Sequence, residues 1–322
     1  MTAQEPIRIG VSACLLGQQV RYDGQHKRDS FLVDQLAAFV EWVPVCPEVE
    51  IGMGIPRESV RLVRAPSGGP RLLGNRSQTD WTDRMTSYAR QKVAELRARD
   101  LSGYVLKSNS PSCGMTRVKL YDGRAEGDNA TRNGVGLFAA ELQAQLPNLP
   151  VEEEGRLNDP RLRDNFLERV FAHARLQRLW ATPWTLHDLI EFHSKQKMAL
   201  LAHSVVGYRA LGRLVAQAKT LPRDQLQRDY ESGFMAVLRK LATPGRQANV
   251  LMHMLGHVSD RLDPAARSEL LGLIEDHRKG LCPLVVPLTL MRHHVRQQAV
   301  GYLLHQSYLD PHPKELMLRN QV

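Results

Sequence analysis

Residues 103–114 read Gly-Tyr-Val-Leu-Lys-Ser-Asn-Ser-Pro-Ser-Cys-Gly, and the division of this stretch decides the fold of the first half of the chain. Gly103 to Lys107 opens with an unbroken apolar run, the pattern of a strand buried on both faces. Ser108 to Gly114 is a polar loop broken by Pro111, and it delivers Cys113 beyond the strand's carboxyl end. Two more cysteines arrive in the same way. Cys14 follows the run Ile7 to Ser12 in Ile-Gly-Val-Ser-Ala-Cys-Leu-Leu-Gly, and Cys46 closes Trp-Val-Pro-Val-Cys-Pro-Glu. If the three strands are parallel neighbours, their carboxyl ends share one edge, which is where open α/β sheets place ligands.

Working outward, the chain alternates between the two periodicities. Apolar residues at helical spacing predict helices over 29–41, with Asp29 or Ser30 as cap, over 79–100 and over 134–145. Extended runs at 59–63, 118–121 and 150–153 lie between or after them. Ala65 to Pro70 reads as a surface hairpin or bend, Arg21-Tyr22-Asp23-Gly24 as a turn, and the Gly- and Pro-rich stretch 50–58 as a loop beside the site. This order predicts an α/β domain with a mostly parallel, Rossmann-like sheet and helices on both faces.

At Arg156 to Pro160 the texture changes and strand signals nearly vanish. Helices are expected near 160–180, 186–202, 204–219, 222–241, 244–259, 264–279 and 287–305. Their starts are marked by Asp159-Pro160, Thr182-Pro183, Thr185 with Asp188, Thr243-Pro244, Asp263-Pro264 and Val286-Pro287. The expectation is an α/β domain over 1–155 followed by a separate all-α domain over 156–322.

A chain of 322 residues is long enough for two such domains. No apolar run approaches the roughly 18 residues of a membrane span, and the amino-terminal residues lack the parts of a signal peptide, so a cytoplasmic protein with no membrane partner is expected. The formal net charge is +9. Nineteen basic against sixteen acidic residues precede position 151 and twenty-four against eighteen follow, so the halves carry +3 and +6; eleven of the twelve histidines also lie in the second half. The helical half is therefore the better candidate for holding a polyanion.

Only four cysteines occur, Cys14, Cys46, Cys113 and Cys282, and a reducing cytosol argues against stapling disulfides. Burial as small hydrophobes, a zinc site and an iron–sulfur cluster are the readings open for the three at strand ends. Zinc is the weaker metal, because no close Cys-x-x-Cys pair exists. A cluster tolerates ligands on distant loops, and three thiolates leave one iron open for a substrate atom. Cys282, in Leu-Cys-Pro, is either a fourth ligand or simply buried. His253 and His257, four apart, lack a third ligand at recognisable spacing and fit packing or phosphate contacts better than metal. Lys195, Lys197, Arg209 and Arg213, near Tyr208, form either a solvated basic face or an RNA-backbone contact.

The motifs Val-Ser-Ala-Cys-Leu-Leu-Gly at Cys14, Cys-Pro-Glu at Cys46 and Ser-Pro-Ser-Cys-Gly at Cys113 together resemble the thiouracil desulfidase family over about residues 6–155. The second half resembles the YbgA-type helical domain often fused to it. The resemblance rests on Phe192-His193-Ser194-Lys195-Gln196-Lys197, Pro244-Gly245-Arg246 and a long C-terminal helix. The whole chain looks like the two-domain desulfidases that act on 4-thiouridine in tRNA.

The resemblance implies a 4Fe–4S cluster on Cys14, Cys46 and Cys113 and a non-redox hydrolysis in which C=S becomes C=O. Within it Glu48, two residues after Cys46, could reach a water at the open iron as general acid/base. Ser110, three residues before Cys113, is the hydroxyl expected to protonate or orient the base, with Ser108 and Ser12 as alternates. Lys107 could complement a negative cluster or extend its ammonium to solvent. Lys195, Lys197 and Arg209 would meet tRNA. Free thiouracil or a thionucleoside is the alternative substrate, and a non-enzymatic RNA-binding or redox-sensing cluster protein is the alternative class.

Overall fold

Eight strands form two four-stranded sheets among the described residues: β1 (Ile7–Ser12), β2 (Val40–Val45), β3 (Val60–Val63), β4 (Arg71–Gly74), β5 (Gly103–Leu106), β6 (Val118–Tyr121), β7 (Ala130–Gly134) and β8 (Val151–Glu153). This computed structural model describes residues 6–65, 68–123 and 129–320. Backbone contacts divide the chain into two units, Met1–Asn158 and Asp159–Val322. The first is mixed α/β and the second is helical.

The first sheet has the order β2-β1-β5-β8 and every pairing in it is parallel. The register aligns Ser12 with Val45, Val11 with Val105 and Leu106 with Glu153, so all four strands stop at one edge. Parallel strands need crossovers, and α1 (Pro47–Glu50), α2 (Thr82–Arg97) and α3 (Leu137–Gln145) lie in these connections. Side chains alternate along a strand, so Gly10 and Ser12 share one face of β1. Tyr104 fills the space over Gly10, where an added Cβ would lie 2.2 Å from its ring. On that face Val43, Val45, Tyr104 and Leu106 join Met85, Ala89 and Val93 of α2 and Phe138 and Leu142 of α3 in one core.

The expected parallel sheet is present, and a second sheet stands beside it. Leu62 and Leu72 enter the same core from a second, mixed sheet of order β4-β3-β6-β7. Two of its strands, β4 and β7, pair antiparallel with their neighbours and were not expected. The exposed sequence Ala-Thr-Arg-Asn of β7 carries no hydrophobic alternation to reveal it. Part of the bend expected over 65–70 lies outside the described residues.

The helix expected over 29–41 is also corrected. The segment forms a π turn over Phe31–Gln35 and a 3₁₀ turn over Leu36–Ala38. Asp29 Oδ1 accepts from the Leu32 N–H at 3.0 Å, as a cap would. Its apolar residues Leu32 and Leu36 are fully buried, but β1 recruits the chain into the sheet from Val40 onward. Too few residues remain for a regular helix.

The second unit contains α4 (Pro160–Trp180), α5 (Leu186–His203), α6 (Val205–Ala216), α7 (Arg223–Leu238), α8 (Pro244–Val258), α9 (Pro264–Arg278), α10 (Val285–Gln297) and the short α11 (Gly301–Leu304). Side chains of Asp159, Thr185, Thr243 and Asp263 cap their helices, and Thr185 with Asp188 forms a reciprocal capping box. The last expected helix is interrupted: Ala299 takes a left-handed φ of 48° and separates α10 from α11. None of the helices is long and apolar enough to cross a membrane among the described residues.

Candidate functional site

The shared carboxyl edge of β1, β2 and β5 is where the three cysteines meet. Cys14 sits in a 3₁₀ turn, Ala13–Leu16, directly after β1; Gly17 ends it with φ 90° and returns its N–H to the Cys14 carbonyl. Cys46 is the N-cap of α1, with Pro47 in the first turn. Cys113 follows β5 through a loop that needs Asn109 in a left-handed conformation, φ 58°. Amide groups of α3, which lack intrahelical partners, hold that loop: Phe138 and Ala139 donate to the Ser112 carbonyl at 3.0 and 3.2 Å. Gly136 permits the approach, since a Cβ there would lie 2.5 Å from Ser112 backbone atoms.

All three thiols line one cavity of about 410 Å³, together with Glu48, Arg57 and Lys107. Cys14 and Cys113 are buried and Cys46 is half-buried. Burial, then the neighbouring Cys46, push the Cys14 thiol up to about 11. Burial also raises Cys46 and, with Glu48 next, holds Cys113 well above the ordinary thiol range. Deprotonated together, these sulfurs repel one another. A thiophilic cation among them would reverse that preference, because a coordinating thiol loses its proton.

Thiols are the donors that an iron–sulfur cluster takes, and three of them line this cavity. Among the described residues no group of three or more His, Cys, Asp and Glu side chains is close enough for one metal ion. Cluster thiolates bind separate irons, so three thiols spaced around a cavity match its demand.

Glu48 is held from two sides. Its Oε2 accepts from Arg57 Nε at 3.1 Å and Nη2 at 2.5 Å, and its Oε1 accepts from the fully buried Ser112 hydroxyl at 2.9 Å. Arg57 is itself fixed, donating from Nη1 to the carbonyls of Val20 at 3.0 Å and Gly54 at 3.1 Å. Ser110 Oγ accepts from the backbone N–H groups of Ser112 at 3.2 Å and Cys113 at 3.1 Å. With both acceptor positions engaged, its hydroxyl proton is what Ser110 can offer the cavity.

The other expected residues divide by partner. Ser12 Oγ accepts from Lys107 N–H at 2.9 Å and bonds the Cys113 thiol. Ser108 donates from Oγ to Glu154 Oε1 at 2.8 Å, and Lys107 pairs with the same carboxylate. The sequence reading missed Arg57, Ser112, Glu153 and Glu154. Glu153 accepts the Met115 N–H at 2.7 Å and Glu154 the Ser108 N–H at 2.7 Å, so the end of β8 braces the Cys113 loop. The signal for both was available: the strand-end rule that located the cysteines also applies to the fourth strand.

In the helical unit, Lys195 pairs with Glu191 at 2.5 Å, the Lys197 ammonium stands 5.8 Å from the Tyr302 ring centre, and Arg209 and Arg213 are exposed on α6. His193 stacks on Tyr208 with centroids 5.5 Å apart. The rings of His253 and His257 are 5.5 Å apart and His257 packs on Tyr302. Cys282 donates to the Leu273 carbonyl at 3.7 Å and is half-buried.

Comparison with known proteins finds a family model on each part of the chain. The model described as 2-thiouracil desulfurase matches residues 9–154, and DUF1722, a family of unknown function, matches residues 197–313. The uncharacterized protein YbgA of Escherichia coli strain K12 is 33% identical over 165 residues, 51% of this chain and 98% of that protein. The uncharacterized protein YbbK of Bacillus subtilis strain 168 is 32% identical over 158 residues, 47% of this chain and 98% of that protein. Among solved structures, the 4Fe–4S-dependent thiouracil desulfidase TudS shares 33% identity, covering 48% of this chain and 94% of its own, with a TM-score of 0.38.

Proposed function

The chain belongs to the two-domain thiouracil desulfidase-like family, and from that premise we propose that it hydrolyses the thiocarbonyl of 4-thiouridine in tRNA, using a 4Fe–4S cluster on Cys14, Cys46 and Cys113. The observation that carries this reading is the convergence of the three thiols on one cavity whose wall also holds an oriented carboxylate. When bound through three thiolates, such a cluster supplies an iron without a protein ligand, a Lewis-acid position for sulfur.

The chain's own residues do the rest. Arg57 and Ser112 fix the Glu48 carboxylate, so it can take a proton from water entering the cavity and serve as general base. Ser110 donates a hydrogen bond to the base, keeps its proton and orients it. The C–O bond to water's oxygen forms, Glu48 gives back the proton it took, the C–S bond breaks, and sulfide leaves with the two protons that water brought. No electron is transferred, so no external reductant is required. A thiolated base in folded RNA must leave its stack to reach thiols set inside a cavity. A role for the helical unit in presenting RNA is supported by its share of the positive charge and by exposed Arg209 and Arg213.

A second reading, desulfidation of free thiouracil or a thionucleoside, is favoured by the match of residues 9–154 to the 2-thiouracil desulfurase family and by a cavity within the size range of small-ligand pockets. The test is anaerobic reconstitution with iron and sulfide, then addition of tRNA containing 4-thiouridine. Loss of the thiocarbonyl absorbance with stoichiometric sulfide supports the proposal. Turnover of 4-thiouridine monophosphate alone would overturn its tRNA part, and a stable cluster inert to every thiolated substrate would favour a sensor.

A further inference from the structure

The loop that delivers Cys113 carries one polar side chain that the chemistry above does not use. Asn109 lines the cavity between Ser108 and Ser110, is exposed, and holds a left-handed φ of 58°. Glycine takes that conformation at the least steric cost, and asparagine is one of the few other residues that tolerate it. Unlike glycine, asparagine also brings a carbonyl oxygen and an NH₂ group to the cavity wall.

The polar groups around it are committed. Lys107 and Ser108 are spent on Glu154, and Ser110 accepts two backbone N–H groups and keeps only a proton to offer. Glu48 is held by Arg57 and Ser112, and a general base must stay clear of ligand N–H groups to take a proton from water. Among the described residues none donates to Asn109 Oδ1. The orientation of the amide follows from Ser108. Ser108 Oγ gives its proton to Glu154 at 2.8 Å and so meets Asn109 as an acceptor, with Nδ2 at 3.5 Å. The reverse orientation would set Oδ1 against an oxygen with no proton to share, so Nδ2 keeps that place and Oδ1 is the atom left to accept from a ligand.

A thiolated uracil carries N3–H, a donor, directly beside its thiocarbonyl carbon, whether sulfur stands at C2 or at C4. In 2-thiocytosine the same ring position is a bare nitrogen, an acceptor. We infer that Asn109 is a specificity-determining residue whose Oδ1 accepts the N3–H of a uracil ring and disfavours a cytosine ring, whose N3 would meet it lone pair to lone pair. Leaving that acceptor unpaired against the wrong ring is what generates the discrimination. The inference rests on the desulfidase reading for its substrate and adds which thiolated pyrimidine the cavity takes.

The test uses the full chain with its cluster reconstituted. Turnover of 2-thiouridine is compared with that of 2-thiocytidine, which share the position of sulfur, and binding of unthiolated uridine and cytidine is measured in parallel by calorimetry. The parent should bind uridine about tenfold more tightly than cytidine, the size of one hydrogen bond made against one refused. Asn109→Gly keeps the left-handed backbone and deletes the amide. It should retain the parental iron content, bring uridine and cytidine within about twofold, and lower the kcat/KM ratio of 2-thiouridine to 2-thiocytidine by about the same factor of ten. Asn109→Asp keeps an acceptor and should keep the preference. No uridine preference in the parent, an unchanged ratio in Asn109→Gly, or equal losses on both pyrimidines would overturn the inference. A preference lost in Asn109→Asp as well would overturn the acceptor role, since it would trace the effect to Nδ2. If no thiolated compound is turned over but the uridine preference falls in Asn109→Gly, the reading of the base edge stands and the desulfidase reading fails.

Discussion

The two units bury ionisable side chains in opposite ways. In the helical unit Glu168, 4% exposed, lies 3.4 Å from His203 Nε2 and 3.5 Å from Arg319 Nη2; Asp164 meets His312 at 2.9 Å, and Arg319 Nη1 donates to the Tyr308 carbonyl at 2.7 Å. These groups spend their charge on one another, and the arrangement ties α4 and α5 to the end of the chain. At the edge of the first sheet, Glu48 is oriented by two partners while still facing a cavity, and the cavity is shared by three thiols that burial pushes above the ordinary thiol range. Charge that is mutually satisfied builds a fold, whereas charge that is oriented but left facing a void builds a site.

The sharpest way to break this contrast is to remove a thiol. Cys113→Ala should lose iron and all desulfidase activity while the far-ultraviolet circular dichroism of the unfilled protein stays that of the parent. An iron-to-protein ratio equal to wild type would show that Cys113 holds nothing. Next in size is Glu48→Gln, which keeps the shape and the Arg57 contact but cannot accept a proton. Turnover should fall by about 10²–10⁴ with the cluster absorbance unchanged, the usual range for a lost general base. A variant that fails to hold iron would instead make Glu48 a support for Cys46.

The legible parts of the molecule follow from this difference. Strands β1, β2 and β5 end in Gly-, Pro- and Ser-bearing cysteine motifs, so the edge was readable from local pattern alone. The helix starts at Asp159, Thr185, Thr243 and Asp263 were also readable, because each cap is a contact over two or three residues. What escaped depends on distant contacts. Arg57 and Ser112 reach Glu48 across nine and sixty-four positions. Glu154 reaches Ser108 across forty-six. The strand β7 exists because β6 supplies its partner, and the 29–38 segment fails to form a helix because β1 claims Val40.

The helical unit should respond to charge removal in stability rather than in chemistry. Glu168→Gln leaves His203 and Arg319 buried without their carboxylate and should cost about 3–5 kcal/mol, as breaking buried ion pairs does. Chemical denaturation measures it, and a loss under about 1 kcal/mol would show that solvent already screens the pair. Its pH dependence has two limits. Burial raises the Glu168 carboxyl, but His203 and Arg319 outweigh it and bring it below the usual range, so its contribution is present above the ordinary glutamate pKa and disappears as pH falls. Burial lowers His203, but Glu168 outweighs that and raises it, so this contribution is present below the ordinary histidine pKa and is lost as pH rises through the folded value. The stability difference between wild type and Glu168→Gln should therefore be widest between the two limits and narrow on both sides.

The smallest expected effect separates a hydroxyl that acts from one that only braces its loop. Ser110 accepts two backbone N–H groups and retains one proton to donate. Removing the hydroxyl in Ser110→Ala frees those amides and deletes the donor, with an expected loss of about ten- to a hundredfold in kcat, the range of a hydrogen bond to a developing charge. Ser110→Thr retains both capacities and should restore most of the rate. A bracing role alone would lower iron occupancy and thermal stability together in Ser110→Ala and leave kcat per bound cluster near the parent value. A donor role lowers kcat per cluster at full occupancy. The cavity would then owe its selectivity for an oriented base to a side chain whose acceptor capacity is already committed to holding Cys113 in place.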